Sequence, residues 1–132
     1  MKKVTKVKRI RILKKKLLVV WAKIAKIQQG NKCQICGSTE YLNAHHLIPK
    51  EKKDSALRYD LQNAIVLCPR HHKYSYDLSP HKNPITFFAL FTATYPNQHE
   101  YLLEHASDTK IYTEEELITL LKEMKEILIN LS

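Results

Sequence analysis

The sequence is short of glycine, with only Gly30 and Gly37 among its 132 residues. Neither glycine lies in a loop that could cradle nucleotide phosphates or in a dinucleotide-binding fingerprint, which argues against ATP-driven and nicotinamide-dependent chemistry. Long apolar runs are also missing. The run near the N-terminus has six residues, 17–22, whereas about 20 are needed to span a bilayer. We therefore expect no transmembrane helix or signal peptide, and a cytoplasmic protein.

Cysteine is scarce as well, and its count of three is odd. Three thiols cannot form a complete set of disulfides, and thiols that bind a metal are suited to a reducing compartment. With 44% hydrophobic and 27% charged residues, the chain can bury a core. Small cores are often stabilised further by a bound metal. The composition therefore predicts one small domain and favours zinc over disulfides.

Acidic residues are absent from residues 1–29, which carry eleven of the 22 Lys and Arg of the chain. Such a basic arm is typical of DNA binding, because each neutralised phosphate releases counterions; a membrane surface is the weaker alternative. Apolar residues recur in the arm at three- and four-residue steps, which predicts an amphipathic helix that ends near Gly30. Its lysines, among them Lys14, Lys15 and Lys16, would lie on the outer face and contact DNA while the apolar face packs.

Further helices are predicted in the last third of the chain. Pro84 suits the first turn of a helix that continues through Phe91, and another helix covers 98–106. Thr113 and Glu116 form a capping box that starts a final helix. We divide the chain into three segments of one domain: a basic helical arm over 1–29, a metal-rich core over 30–82, and a helical extension over 83–132 that packs on the core.

Two short Cys/His knuckles predict a structural zinc site. Each has two residues between its ligands, and together they supply three thiolates and one imidazole, which suit a closed tetrahedral site. The predicted ligands are Cys33, Cys36, Cys68 and His71. A redox-active pair of Cys33 and Cys36 is an alternative, although no βαβ pattern surrounds it. Buried cysteines without a metal are another.

Four of the polar residues that remain between 33 and 76 stand out as candidates for a second site: His45, His46, Asn63 and His72. A lone histidine is more often structural than catalytic. An adjacent pair, with a third histidine beside a zinc ligand, is hard to explain by core packing alone. These residues therefore predict a second, open metal site.

The order and spacing of these motifs resemble the HNH nucleases, also called ββα-metal or His-Me finger nucleases, in their zinc-knuckle, phage-type form. The resemblance is carried by the runs 33–36, 43–49 and 63–73. It implies an α+β fold, with a small ββα-metal core and its zinc knuckle flanked by an N-terminal basic helix and C-terminal helices.

The resemblance also implies roles for individual residues. His46 corresponds to the general base, His45 to the metal ligand before it, Asn63 to the middle Asn and His72 to the second metal ligand, which is carried by a helix. His71 departs from the family pattern, which commonly has Cys there. It remains open whether His71 and His72 exchange roles.

A weaker, layout-level similarity connects the chain to the phage NinG/Rap recombination nucleases. It is carried by residues 55–60, by the helical stretch through 101–103 and by the closing helix after Tyr112. In those nucleases the position of His72 is more usually Asn. The similarity suggests branched DNA as a substrate and, for a phage-encoded protein, a location in the host cytoplasm.

Together these features predict a metal-dependent DNA endonuclease. A neutral imidazole with a pKa of about 6.5 suits His46 as the base that takes a proton from water. His45 and His72 would hold one divalent cation, which sequence alone does not identify among Mg²⁺, Mn²⁺, Ni²⁺ and Zn²⁺. Asn63 would clamp a loop so that His46 is correctly aimed.

Basic residues around the motif are predicted to contact DNA phosphates with little sequence preference: Arg58, Arg70 and Lys73, together with the lysines of the arm. The apolar stripes of the first and last helices could close a monomer core or form a homodimer. Two other functions stay open. One is a non-catalytic, zinc-dependent nucleic-acid-binding module, and the other is a structural protein of a phage complex.

Overall fold

The computed structural model describes residues 3–49, 52–74 and 79–132, and its fold is α+β, as expected. In chain order its elements are α1 (Lys6–Gln28), β1 (Asn43–His45), β2 (Ile65–Leu67), α2 (Pro84–Thr94), α3 (Pro96–His105) and α4 (Glu114–Leu131). A short 3₁₀ turn, Leu61–Asn63, precedes β2, and one wide π-type turn, Arg70–Tyr74, follows it. Within the described ranges no helix is long and apolar enough to span a membrane.

Helix α1 begins and ends on local signals. The side chain of Thr5 caps its first turn by accepting a hydrogen bond from the Lys8 amide. At its C-terminus the backbone adopts positive φ at Gly30 (78°), a conformation that costs glycine little. The predicted end near Gly30 is confirmed. The helix starts at Lys6, four residues before Ile10, which packs against the core that α1 shares with α4.

The sheet has two short antiparallel strands, in which Ala44 pairs with Val66 and His45 pairs with Ile65. Side chains alternate across a strand, so neighbouring residues face opposite sides. Val66 and Ala44 face the core formed by α1 and α4, whereas Ile65 and Leu67 face the core that includes residues of α2 and α3. The small sheet therefore lies between two helical layers.

The first core joins the two ends of the chain. Buried apolar residues of α1 and α4 meet there: Leu17, Val20, Trp21, Ile24, Ala25, Leu117, Leu121 and Met124. The capping box predicted at the start of α4 is confirmed, with Thr113 and Glu116 capping each other's backbone amides. An ion pair between Arg9 and Glu114, 2.7 Å from Nε to Oε1, connects the same two helices.

The second core buries Phe87 and Phe91 of α2 with Leu102 of α3. Both helices begin with proline at the first turn, where the missing amide hydrogen is not needed. The start of α2 at Pro84 agrees with the sequence. Helix α3 begins at Pro96, two residues before the predicted range 98–106, because a second proline starts it.

The loop between β1 and β2 is attached to the segment that follows α3. The amide of Ala56 donates to the Asp108 carbonyl at 2.9 Å, and the amide of Lys110 donates to the Asp54 carbonyl at 2.8 Å. These bonds hold the described part of the loop, 52–63, against the segment that follows α3. The loop contributes Asn63 and the Arg58 carbonyl to the site described below.

Candidate active site and metal centres

Four ligand atoms converge beside the end of β2: the sulfurs of Cys33, Cys36 and Cys68 and a ring nitrogen of His71, all within 4.8 Å of one another. Cys36 and Cys68 Sγ lie 3.7 Å apart, and His71 Nδ1 lies 3.3 Å from Cys68 Sγ and 3.8 Å from Cys33 Sγ. A tetrahedron with zinc bonds of about 2.0–2.3 Å separates its ligand atoms by about 3.5–3.8 Å. The cluster fits a zinc knuckle.

The first knuckle is shaped by a tight turn. The Gly37 amide donates to the Cys33 carbonyl at 2.9 Å, and Gly37 has a φ of 77°, which an L side chain rarely adopts. Burial by itself would raise the pKa of Cys33, but hydrogen bonds from backbone amides outweigh it and lower that pKa. A lowered pKa favours the thiolate, which is the form that binds a metal.

A second cluster consists of three histidines: His45, His72 and His81. His45 Nδ1 lies 3.1 Å from His72 Nε2, and His81 Nε2 lies 3.0 Å from the same atom. Three imidazoles around one zinc ion, with bonds of about 2.0–2.1 Å, would place their nitrogens about 3.3 Å apart. The donor set therefore fits one ion with three protein ligands and leaves positions for other molecules.

The crowding of these rings favours their neutral forms. Burial, followed by the neighbouring histidine charges, lowers the pKa of His45 to about 3. Burial and the charges of His81 and Lys73 lower the pKa of His72 to about 4. A neutral imidazole is the form that binds a metal, and the lowered pKa values keep both rings neutral at pH 7.

His81 was not identified from the sequence. Its position depends on Ser79, which is buried and whose hydroxyl donates to the His72 carbonyl at 2.7 Å. The same hydroxyl accepts a hydrogen bond from the His81 amide at 3.3 Å. The only sequence signal is an unassigned histidine nine residues after His72. No knuckle or helical spacing connects the two.

His46 occupies a different environment from His45. Alternation sends His45 to the face that carries Ile65, whereas His46, one residue beyond β1, contacts α1 on the other side. Its Nε2 lies 2.9 Å from the Arg58 carbonyl. Because a carbonyl accepts, Nε2 carries the hydrogen and the ring lone pair lies on Nδ1, the nitrogen able to act as a base.

Asn63 is fully buried and holds the loop closed. Its Oδ1 accepts from the Ile48 amide at 2.6 Å, and its Nδ2 donates to the carbonyls of Ile48 at 2.9 Å and Leu57 at 3.1 Å. The side chain thus connects the segment after His46 to the loop that carries Arg58. Asn63 therefore holds the segment after His46 close to the backbone next to the Arg58 carbonyl, which contacts His46.

The three clustered histidines and His46 line one cleft of about 540 Å³. Of the predicted DNA-binding residues, Lys73 is in its wall. Lys14 and Arg58 line a separate, smaller cleft with Tyr59. Lys15, Lys16 and Arg70 are exposed and belong to neither wall. The cleft therefore brings the three clustered histidines together with a fourth imidazole and with Lys73.

Comparison with known proteins bears on the same segment. Residues 33–76, one third of the chain, match the family model described as HNH endonuclease. No curated protein and no solved structure shows significant similarity to the chain. Trp21 and His81 lie outside the matched range. The match therefore supports the resemblance of the cysteine and histidine motifs to the HNH family.

Proposed function

We propose that this protein is a metal-dependent HNH endonuclease that hydrolyses phosphodiester bonds in DNA. The observation that carries the proposal is the cleft in which His45, His72 and His81 cluster while His46 lines the same wall. An imidazole base can activate the attacking water, and a metal ion can stabilise the negative charge that develops during phosphodiester hydrolysis. The family match over 33–76 supports nuclease chemistry.

His46 is the proposed general base. It takes a proton from a water molecule, whose oxygen then attacks the scissile phosphorus. The bond from phosphorus to the 3′ oxygen breaks, and the departing 3′ alkoxide takes a proton from solvent water. The hydrogen bond from His46 Nε2 to the Arg58 carbonyl places the hydrogen of the neutral ring on Nε2, so Nδ1 is the nitrogen that would take the proton of the attacking water. Asn63 keeps the two segments around His46 together through its three backbone hydrogen bonds.

His45, His72 and His81 are the proposed ligands of one divalent cation. When bound, the cation supplies positive charge to the scissile phosphate and to the departing oxygen. Lys73 adds a further positive charge in the wall of the cleft, where it would attract the DNA backbone. Cys33, Cys36, Cys68 and His71 hold the structural zinc in this proposal, so His71 and His72 serve different metals.

Loss of His81 is expected to weaken the proposed catalytic site selectively. Outer-sphere partners of a ligand cost about 10–100-fold in metal affinity when mutated, and a direct ligand costs at least as much. We therefore expect His81→Asn to bind Ni²⁺ at least tenfold more weakly, measured by calorimetry on chain that carries one zinc, at the cysteine knuckle, and no other metal. His105→Asn, on the surface of α3, is the control. Equal Ni²⁺ affinity of His81→Asn and wild type would exclude His81 as a ligand.

Three imidazoles also predict a metal preference. Nitrogen ligands favour Ni²⁺ and Zn²⁺ over Mg²⁺, which prefers oxygen. The proposed function is tested by supplying each cation in turn to chain stripped of weakly bound metal, with supercoiled plasmid as substrate. We expect nicked or linear product at lower concentrations of Ni²⁺ or Zn²⁺ than of Mg²⁺. Intact plasmid with every cation, together with a salt-sensitive gel shift, would favour the non-catalytic binding module.

The exposed lysines of α1 are proposed to contact phosphates. Each lost phosphate contact reduces the slope of log K against log salt concentration by about 0.9. The double substitution Lys15→Gln and Lys16→Gln should therefore lower that slope by about 2, as measured by fluorescence anisotropy of a labelled duplex. Lys122→Gln with Lys125→Gln on α4 removes the same charge elsewhere. Equal slopes for the two double variants would show that Lys15 and Lys16 do not contact phosphates.

We propose that the substrate is DNA, including branched or phage DNA, and that contacts to phosphate dominate its recognition. We also propose that the protein acts in the cytoplasm. Four-way junctions and linear duplexes of matched sequence, cleaved side by side, rank the substrates.

A homodimer remains a prediction. Ile118 and Ile129 of α4 are exposed beside Leu13 in a groove, and analytical ultracentrifugation decides whether a second copy covers them.

A further inference from the structure

The single tryptophan of the chain lies against His46. Trp21 belongs to α1, outside the matched HNH segment, and is 2% exposed. Its ring stacks on the imidazole of His46, with centroids 3.8 Å apart and planes inclined by 9°. Face-to-face contact at this distance covers one side of the imidazole.

Both rings are attached to the same short stretch of backbone. The indole Nε1 of Trp21 donates to the Asp60 carbonyl at 2.9 Å, and His46 Nε2 donates to the Arg58 carbonyl at 2.9 Å. The two acceptors are two residues apart. The hydrogen bond of His46 restrains one ring atom, and the indole restrains the plane of the ring. An aliphatic side chain could fill the space of Trp21 without restraining that plane.

We propose that Trp21 is a positioning residue that holds the His46 imidazole in its productive orientation, an inference that rests on the proposed nuclease function. The basic helix α1 thereby contributes to the active site as well as to DNA binding. Orientation matters because a misplacement of about 1 Å can cost roughly 100-fold in rate. Trp21 is buried and does not line the cleft, so its effect should appear in the rate of the chemical step and not in DNA affinity.

Two substitutions separate orientation from packing. Trp21→Leu should lower the single-turnover rate of plasmid cleavage by about 10–100-fold, with the DNA dissociation constant within twofold of wild type. Trp21→Phe keeps an aromatic face and should recover most of the rate. Ile24→Ala, on the same helix and in the same core, is the control for lost packing. A rate loss in Ile24→Ala equal to that in Trp21→Leu, or no recovery in Trp21→Phe, would overturn the proposal.

A second readout does not depend on activity. The indole shields the stacked imidazole, so the His46 ring protons should resonate upfield in wild type and move downfield in Trp21→Leu. Trp21→Phe should give an intermediate shift, and His46→Ala assigns the resonances. Unchanged His46 shifts in folded Trp21→Leu would overturn the proposal. If wild type cleaves neither plasmid nor junction with any cation, the nuclease function fails, while these shifts still decide whether Trp21 orients His46.

Discussion

His46→Ala is expected to lower the rate of metal-dependent plasmid cleavage by about 10²–10⁴-fold, the usual contribution of a general base. The affinity for DNA should remain within twofold of wild type. His46 contacts Trp21 and the Arg58 carbonyl and is not among the clustered metal ligands, so its removal should leave a bound cation in place. Single-turnover cleavage gives the rate, and anisotropy of a labelled duplex gives the affinity.

His105→Ala is a suitable control for that experiment. His105 lies on α3, where its ring pairs with Asp108, and it does not line the histidine cleft. We expect cleavage by this variant to equal that of wild type. Cleavage by His46→Ala at the wild-type rate would contradict the assignment of the base. Loss of both cleavage and Ni²⁺ binding would instead place His46 among the ligands.

Cys68→Ser is expected to unfold the HNH domain. Structural zinc sites contribute about 10–16 kcal/mol of apparent binding free energy, whereas small domains are stable by only about 5–15 kcal/mol. Cys68 is buried directly after β2 and also packs within the second core. Removing its sulfur therefore affects both the metal and the sheet. Zinc content by atomic absorption and a thermal melt by circular dichroism measure the two effects.

The two metal centres predict different outcomes for their ligands. His81→Asn should keep its zinc and melt within a few degrees of wild type, because His81 is exposed and belongs to the other cluster. Cys68→Ser should lose zinc and its cooperative melt together. A Cys68→Ser protein that melts at the wild-type temperature would contradict a structural role for the knuckle.

Local signals explain which parts of the fold could be predicted from sequence. The end of α1 near Gly30 and the capping box of α4 depend on residues within a few positions of each helix end, and both predictions are confirmed. The start of α3 was misplaced by two residues because Pro96 sets it. Side chains of β2 alternate between two cores, but this can be recognised only once the positions of the helices are known. A strand of three residues does not specify those positions.

The candidate site also has parts that the sequence predicts and parts that it does not. The knuckle could be predicted because a two-residue spacing brings both ligands of each pair onto one turn. The sequence assigns His71 to the zinc and His72 to the second site but leaves open whether they exchange roles, because that depends on how consecutive side chains diverge around the turn after β2. His81 reaches the cluster through the hydroxyl of Ser79, and Trp21 reaches His46 from another helix. Neither contact has a sequence spacing that would reveal it.

We propose that DNA cleavage requires one cation, held by the histidine cluster and distinct from the structural zinc. The most direct test is to titrate Ni²⁺ into chain that carries one zinc, at the cysteine knuckle, and no other metal, and to follow the relaxation of supercoiled plasmid. We predict no cleavage before addition and a rate that reaches its plateau at one Ni²⁺ per chain. Full cleavage in the absence of added metal, or an intact plasmid at saturating Ni²⁺ with correctly folded protein, would contradict this requirement.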